Sequence, residues 1–274
     1  NGANRTVGPA LAARPVRGRA ALLSGKLGRM SVHSFHLARV PVHQAASALL
    51  RAPRAPGLRH MEVMGGMELG SPVFSVRRMQ VQRMTVFAEW DDEAALDDFL
   101  AQHPFGKRLG EGWHIRLAFL RRWGSVREFS RLPEVAGRSE RDEPVVAVTL
   151  ARMRLFQLPR FIRWGRPVER QVRDHPEATL ALAAIRLPRT VSTFSIWTSA
   201  RAMTGMVFGR DAGHGAGREA DDSARRHTAA MTERDRKDFH HEFTTLRFRP
   251  LSEHGSWEGR SHFVPWQAGT SRSA

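Results

Sequence analysis

Thr193-Phe194-Ser195-Ile196-Trp197-Thr198-Ser199-Ala200-Arg201-Ala202-Met203 decides the fold, because the chain writes it twice. The earlier copy is Val86-Phe87-Ala88-Glu89-Trp90-Asp91-Asp92-Glu93-Ala94-Ala95-Leu96. Aligned, Phe87 falls on Phe194, Trp90 on Trp197, Ala95 on Ala202 and Leu96 on Met203. Each copy is a run of β-formers with alternating side chains, ended by a tryptophan. A capping residue follows, Asp91 in the first copy and Thr198 or Ser199 in the second, and then an alanine-rich run with helical spacing. One strand entering one helix, repeated, predicts a duplicated domain.

Working outward from the first copy, residues 32–40 predict a strand. Residues 42–52 predict a helix entered through Pro41 and stopped by Pro53 and Pro56. A strand at 59–64 is expected to break at Gly65-Gly66. The strand at 84–90, a helix at 91–102, a short helix at 104–109 and a strand at 113–120 complete the order β-α-β-β-α-β, the ferredoxin-like unit. Residues 124–143 have a linker's composition. The pattern then reopens at residue 145, and Leu150-Ala151-Arg152 repeats Leu37-Ala38-Arg39. A helix at 159–174, a strand at 179–187, the second copy itself, a polar helix at 223–238 and a strand at 240–249 follow. The expected fold class is α+β: two ferredoxin-like βαββαβ repeats forming a pseudo-dimeric α/β barrel. Its parts are an extension 1–29, a first repeat 30–123, a linker 124–143, a second repeat 144–254 and a tail 255–274. Sheets of two such units, facing each other, would enclose a cavity with the helices outside.

Composition narrows the chemistry. The chain has no cysteine, which excludes a thiol nucleophile, a disulfide framework, a zinc-thiolate site and a cysteinate-ligated haem. No run of ~18 apolar residues is present to span a membrane. The net charge of +16 rests on 40 arginines and three lysines, a bias that a GC-rich genome writes by itself. Residues 1–29 hold six of those cations and no acid, which leaves +10 for the rest. That first segment reads as transit-like, or as sequence upstream of a natural start at Met30, and outside the fold. The remaining charge suits a solvated surface or an anionic membrane. The arginines are scattered and no recognised binding motif accompanies them, so nucleic acid is not an expected partner. Nothing argues for secretion, and a cytoplasmic protein, peripheral to the membrane at most, is expected.

No hydrolytic triad and no P-loop stands out. Gly213-His214-Gly215-Ala216-Gly217 resembles a dinucleotide fingerprint in letters alone, since it lies between helical stretches within an insertion at 209–222. Among the thirteen histidines, His33 and His36 have opposite parity in a strand and cannot chelate together. His240 and His241 fail likewise, and Thr245 stands where a second zincin histidine would be. His227 differs, because Ala224, Ala230 and Met231 share its helical stripe. A histidine projected inward from a helix suits axial ligation of haem iron. Spacing alone favours a plainer reading, an imidazole satisfied by a backbone carbonyl or by solvent.

Several segments together resemble the spheroidene monooxygenase family of carotenoid biosynthesis, within the wider α/β-barrel monooxygenases. In the first half they are Gly57-Leu58-Arg59-His60-Met61-Glu62-Val63-Met64-Gly65-Gly66-Met67-Glu68-Leu69-Gly70 and the strand from Phe87 to Trp90. In the second half they are Thr193-Phe194-Ser195-Ile196-Trp197, Ala202-Met203, His227-Thr228-Ala229-Ala230-Met231, the run from Phe239 to Glu242, Arg247-Phe248-Arg249 and Gly255-Ser256-Trp257-Glu258-Gly259. Order and spacing carry the resemblance from Val32 to Phe263 more than any one motif. Where the family has a glycine-rich segment after the second strand of its second half, this chain reads Ala183-Ala184-Ile185-Arg186.

The resemblance implies oxygen-dependent hydroxylation or ketone formation on a long apolar polyene, with haem as cofactor and reduced ferredoxin as electron source. It implies His227 as the iron ligand. Arg152, Arg154 and Arg160 are then candidate partners for the haem propionates. Phe87, Trp90, Phe194, Trp197 and Met231, with Phe35, are candidates to line a substrate pocket between the sheets. For most of the aromatics ordinary core is the simpler expectation. Two other activities fit such a barrel: cofactor-free oxygenation of an activated substrate, and non-catalytic binding of a lipid-like ligand.

Overall fold

The computed structural model describes residues 31–67, 69, 80–157, 160, 169–208 and 238–266. Eight strands carry the fold: β1 (Val32–Arg39), β2 (Leu58–Met67), β3 (Gln80–Trp90), β4 (Trp113–Ser125), β5 (Val145–Met153), β6 (Ala178–Arg186), β7 (Thr190–Trp197) and β8 (His240–His254). Their order around a closed barrel is β1-β3-β2-β6-β7-β5-β8-β4, with every neighbour antiparallel. Strands β4-β1-β3-β2 form one ferredoxin-like sheet, and β8-β5-β7-β6 form the other in the same order. The duplication therefore holds at the level of strand pairing: Phe35 faces Phe87 in the first sheet as Val148 faces Phe194 in the second.

Helices α1 (Val42–Leu50), α2 (Glu93–Gln102) and α3 (Pro104–Gly110) belong to the first half, and α4 (Ala200–Phe208) to the second. The cap of α2 is Asp92, whose Oδ1 accepts from the Ala95 N–H, whereas Asp91 pairs with Arg59. In the second copy Ser199 Oγ accepts from the Ala202 N–H. Both caps thus stand two residues after the tryptophan, and each satisfies an otherwise unpaired amide of the first turn. For the helix expected at 159–174, residue 160 and residues 169–173 are helical. The insertion at 209–222 and most of the helix expected at 223–238 lie outside the described residues.

The two sheets join edge to edge. One seam is long, β4 against β8, from His114↔His254 to Ser125↔Phe243. The other is three pairs long, Gly65↔Ile185, Gly66↔Ala184 and Met67↔Ala183. Gly65-Gly66 therefore does not end β2. The register with β3 shifts between these two glycines, which pair with β3 on one edge of β2 and with β6 on the other. A Cβ on Gly66 would stand 3.0 Å from the Arg83 carbonyl oxygen, a tight contact that glycine avoids.

Alternation sorts the side chains. Phe35, Leu37, Phe87, Ile115, Leu117, Val148, Leu150, Phe194, Ile196, Leu246 and Phe248 point into the barrel. Phe35 and Phe194, from opposite halves, stack with ring centroids 3.6 Å apart and planes 14° apart. The space between the sheets, expected as a chamber, is packed core at this level. Residues 124–143 contribute Val126, Phe129 and Leu132 to the same core, by way of a 3₁₀ turn at Arg127–Phe129 that follows β4. From beyond β8, Phe263 and Val264 join it, their amides held by the Glu253 carboxylate.

Because Phe194 fills space instead of lining a void, Phe194→Ala should lower stability by ~3–5 kcal/mol in urea titration. A loss below ~1 kcal/mol would mean that the interior is hollow.

Candidate functional site

Strands β3, β4, β5 and β6 all finish at one end of the barrel, and its interior there is ionic. Glu62 is fully buried on β2. It accepts hydrogen bonds from Arg152 on β5 and pairs with Arg186 on β6 at 2.8 Å. His60 Nε2 lies 3.0 Å from its Oε1. Burial pushes the Glu62 carboxyl up, but the His60 and Arg152 hydrogen bonds and the Arg152 and Arg186 charges outweigh it, leaving a pKa of about 2. Arg152 also bonds Glu128 at 3.0 Å and Thr190 at 2.9 Å. Beside this group Glu89 pairs with Arg131 at 2.6 Å and Arg59 at 3.5 Å. His33 sits among Phe87, Phe119 and Phe248, its pKa lowered to about 3 by burial first and then by the Arg131 and Arg59 charges. It is a neutral imidazole inside the core.

This cluster ties the halves together: Glu62 comes from the first half, Arg152 and Arg186 from the second. It also corrects one expectation, since Arg152 is buried and its charge is already paired with two carboxylates, which leaves it unsuited to a propionate. Sequence reasoning missed Glu62, Glu89 and His33. Their signal was parity: Glu89 stands two residues from Phe87, and Glu62 alternates with Met61 and Val63 in a run otherwise buried.

The outward faces of the two sheets differ sharply. In the first half Met61, Val63, Met84, Val86 and Trp90 seal against Leu96, Phe99, Phe105 and Leu109 of the helices. Trp90 lies here, its indole N–H donating to Ser34 Oγ at 2.8 Å. In the second half the Trp197 indole N–H donates to Ser195 Oγ, on its own strand, at 2.8 Å. Neither tryptophan joins Phe87 and Phe194 in the barrel, because three residues along a strand reverse the side. On the same first-half face His36, His114 and His254 stack in a row, with centroids 5.1 and 4.8 Å apart. Burial lowers the pKa of each, His114 to about 4.

With Phe87 placed on Phe194, strand register pairs His36 with Thr149, Met61 with Ala181, Val63 with Ala183, Val86 with Thr193 and His114 with Thr245. Every one of these outward positions is smaller in the second half. The sealed first-half set becomes a face on which Thr193 is exposed and Thr149, Ala181 and Thr245 are half-buried, although all four lie mid-sheet. This stretch of small side chains on the outward face of the second sheet is the candidate site. At these positions the two copies differ in the bulk they present.

Thr149, Ala151 and Met153 continue this face along β5 to a cleft of about 540 Å³. Met153, Arg154, Leu155, Phe156, Gln157, Arg189, Asp238 and His241 line it. Arg154 donates from Nε to the His240 carbonyl at 3.1 Å. Arg160 bonds Gln157 Oε1 at 3.0 Å and lies 4.5 Å over the Phe239 ring. The structure thus brings Arg154 and Arg160 to the cleft region and keeps Arg152 away from it. His227 and Met231 lie outside the described residues. Among those described, no three His, Asp or Glu side chains are placed to hold a metal ion.

No family model matches the sequence. Over 185 residues the chain is 30% identical to spheroidene monooxygenase of Rhodobacter capsulatus, covering 64% of this chain and 69% of that protein. Among solved structures, an aldoxime dehydratase in complex with butyraldoxime aligns over 83% of this chain and 81% of its own, at 7% identity and TM-score 0.49. A monooxygenase-like protein from Listeria innocua aligns over 83% and 99%, at 10% identity and TM-score 0.25. At such distances the structural likeness extends to neither site nor chemistry. Fold and sequence relative together define an oxidoreductase, a monooxygenase built on a duplicated ferredoxin-like barrel. Within that class the chain belongs to the spheroidene monooxygenase family.

The depressed pKa of Glu62 fixes a pH dependence. Its contribution is complete above the unfolded value near 4.5 and is lost as pH falls through the folded value of about 2. Glu62→Gln should therefore cost ~3 kcal/mol at neutral pH. In denaturant titrations the gap between the two proteins should close between these two pH values.

Proposed function

We propose that the chain is a haem-dependent monooxygenase acting on a carotenoid or another long apolar molecule, with its site on the outward face of the second sheet. One observation supports this above the rest: Thr149, Ala181, Thr193 and Thr245 form an accessible floor where the first half has packed bulk. A planar, largely apolar cofactor needs such a floor, since side chains of Met or His size would hold it off the sheet. When bound, haem would supply the activation of dioxygen.

The chain's own residues supply the rest. His227 is the proposed axial ligand, by the family resemblance. Arg154 and Arg160, beside the end of the floor, are the proposed propionate partners, as guanidinium groups suited to paired carboxylate oxygens. The floor itself carries hydroxyls and methyls and no ionised group, so it would orient a substrate by shape and would favour an apolar one. Packing of the barrel core behind the floor keeps water from reaching it through the sheet. A net charge of +16 suits docking of an acidic electron donor such as ferredoxin.

Purified protein supplied with haem should show a Soret band, which His227→Ala weakens or shifts. Ala181→Phe should abolish haem uptake with little change in unfolding midpoint, because it fills the floor without touching the core. A chain that takes up no haem, or an Ala181→Phe protein with an unchanged Soret band, would sink this reading.

A further inference from the structure

Two loops at the ionic end of the barrel carry bulky apolar side chains out into solvent. Phe156 is 98% exposed and Leu155 50% exposed, just beyond β5. Leu187, in the turn between β6 and β7, is 63% exposed. The loops adjoin: the Met153 N–H donates to the Arg189 carbonyl at 2.7 Å, and Arg152 is in register with Thr190. Each is short and free of acidic residues, reading Met153-Arg154-Leu155-Phe156-Gln157 and Leu187-Pro188-Arg189. Arg154 and Arg189 are both exposed beside the apolar tips. Water-exposed phenyl and isobutyl groups on a soluble surface are costly, and side by side they mark a contact.

We propose that these two loop tips dock the protein on an anionic phospholipid bilayer. Phe156, Leu155 and Leu187 enter the boundary between headgroups and acyl chains, while Arg189 pairs with a lipid phosphate. The pattern fits a bilayer better than a protein partner, because the apolar groups stand on projecting tips with cations around them. A lipid interface accepts such a wedge without shape complementarity, and its negative charge matches the chain's +16. Phe156 and Leu155 also line the 540 Å³ cleft, together with Met153 and Arg154. The docked orientation turns the mouth of that cleft towards the membrane, so an apolar molecule leaving the bilayer meets the cleft before it meets water. This inference goes beyond the proposed chemistry and does not depend on haem.

Flotation of the full-length chain with vesicles tests it. The protein should bind phosphatidylcholine vesicles containing ~30% phosphatidylglycerol and should not bind pure phosphatidylcholine. Phe156→Ser combined with Leu187→Ser should weaken that partition ~10-fold or more, with an unchanged unfolding midpoint because both side chains are exposed. Arg189→Gln should weaken it further. Absence of binding to the anionic vesicles would overturn the proposal. So would binding that the serine variant leaves unaltered, which is adsorption by net charge alone. A dimer in light scattering that the serine variant dissociates, without effect on vesicles, would assign the patch to a second copy and overturn it too. The assay needs no haem, so its failure leaves the Soret experiment untouched.

Discussion

Closure of the sheet across the short seam between β2 and β6 is the constraint on which the rest of the molecule depends. A sheet with two open edges would expose unpaired amides and carbonyls on β2 and β6, and the two halves would be hinged through β4 and β8 alone. Three residue pairs make the seam, two of them at adjacent glycines that stay paired with β3 on the opposite edge of β2. The seam is reinforced from inside by Glu62, whose charge is compensated by arginines of the other half. A buried carboxylate left without them would be expensive, so the ionic cluster penalises every arrangement in which the halves separate. Aromatic stacking of Phe35 on Phe194 then fills the space that closure creates.

Duplication gave the chain two equivalent outer faces, and they carry different side chains. The first retains methionine, valine, histidine and tryptophan beneath its three helices and is sealed. The second also has a tryptophan bonded to a serine, Trp197 to Ser195 of its own strand, and carries alanine or threonine where the first has His36, Met61, Val63, Val86 and His114. Interior packing, caps and strand order are shared, so the second face can change without disturbing what holds the barrel shut.

Much of this was readable from the sequence, for local reasons. The paired Phe-x-x-Trp strands, the helix that follows each and the βαββαβ order are short-range patterns, and they place seven of the eight strands to within a few residues of their observed starts. What parity could decide it decided well, as with His33 and His36 on opposite faces. The same rule applied to Phe87 and Trp90 would have removed both tryptophans from the pocket. Residues that act at long range were harder. Gly65-Gly66 looks like a strand end because its purpose, pairing with β6, lies more than a hundred residues away. Residues 124–143 look like a linker because their composition is polar, although Val126, Phe129 and Leu132 are enough to close one end of the core. The trimmed floor was legible only by comparing the copies position by position, once strand register had fixed which positions correspond.

The place of β8 in the barrel has a consequence for how the protein is made. It is the last of the eight barrel strands to leave the ribosome, yet it supplies partners for both β4 and β5, including the longer of the two seams. A nascent chain that has completed four strands holds a finished ferredoxin-like sheet whose outer edges, β2 and β4, have nothing to pair with until the second half is synthesised. Throughout that interval it presents sticky strand edges and an uncovered aromatic face, the features that invite misassociation. Such a polypeptide should rely on holdase protection during translation, and slowing elongation between the two repeats would prolong its most vulnerable state.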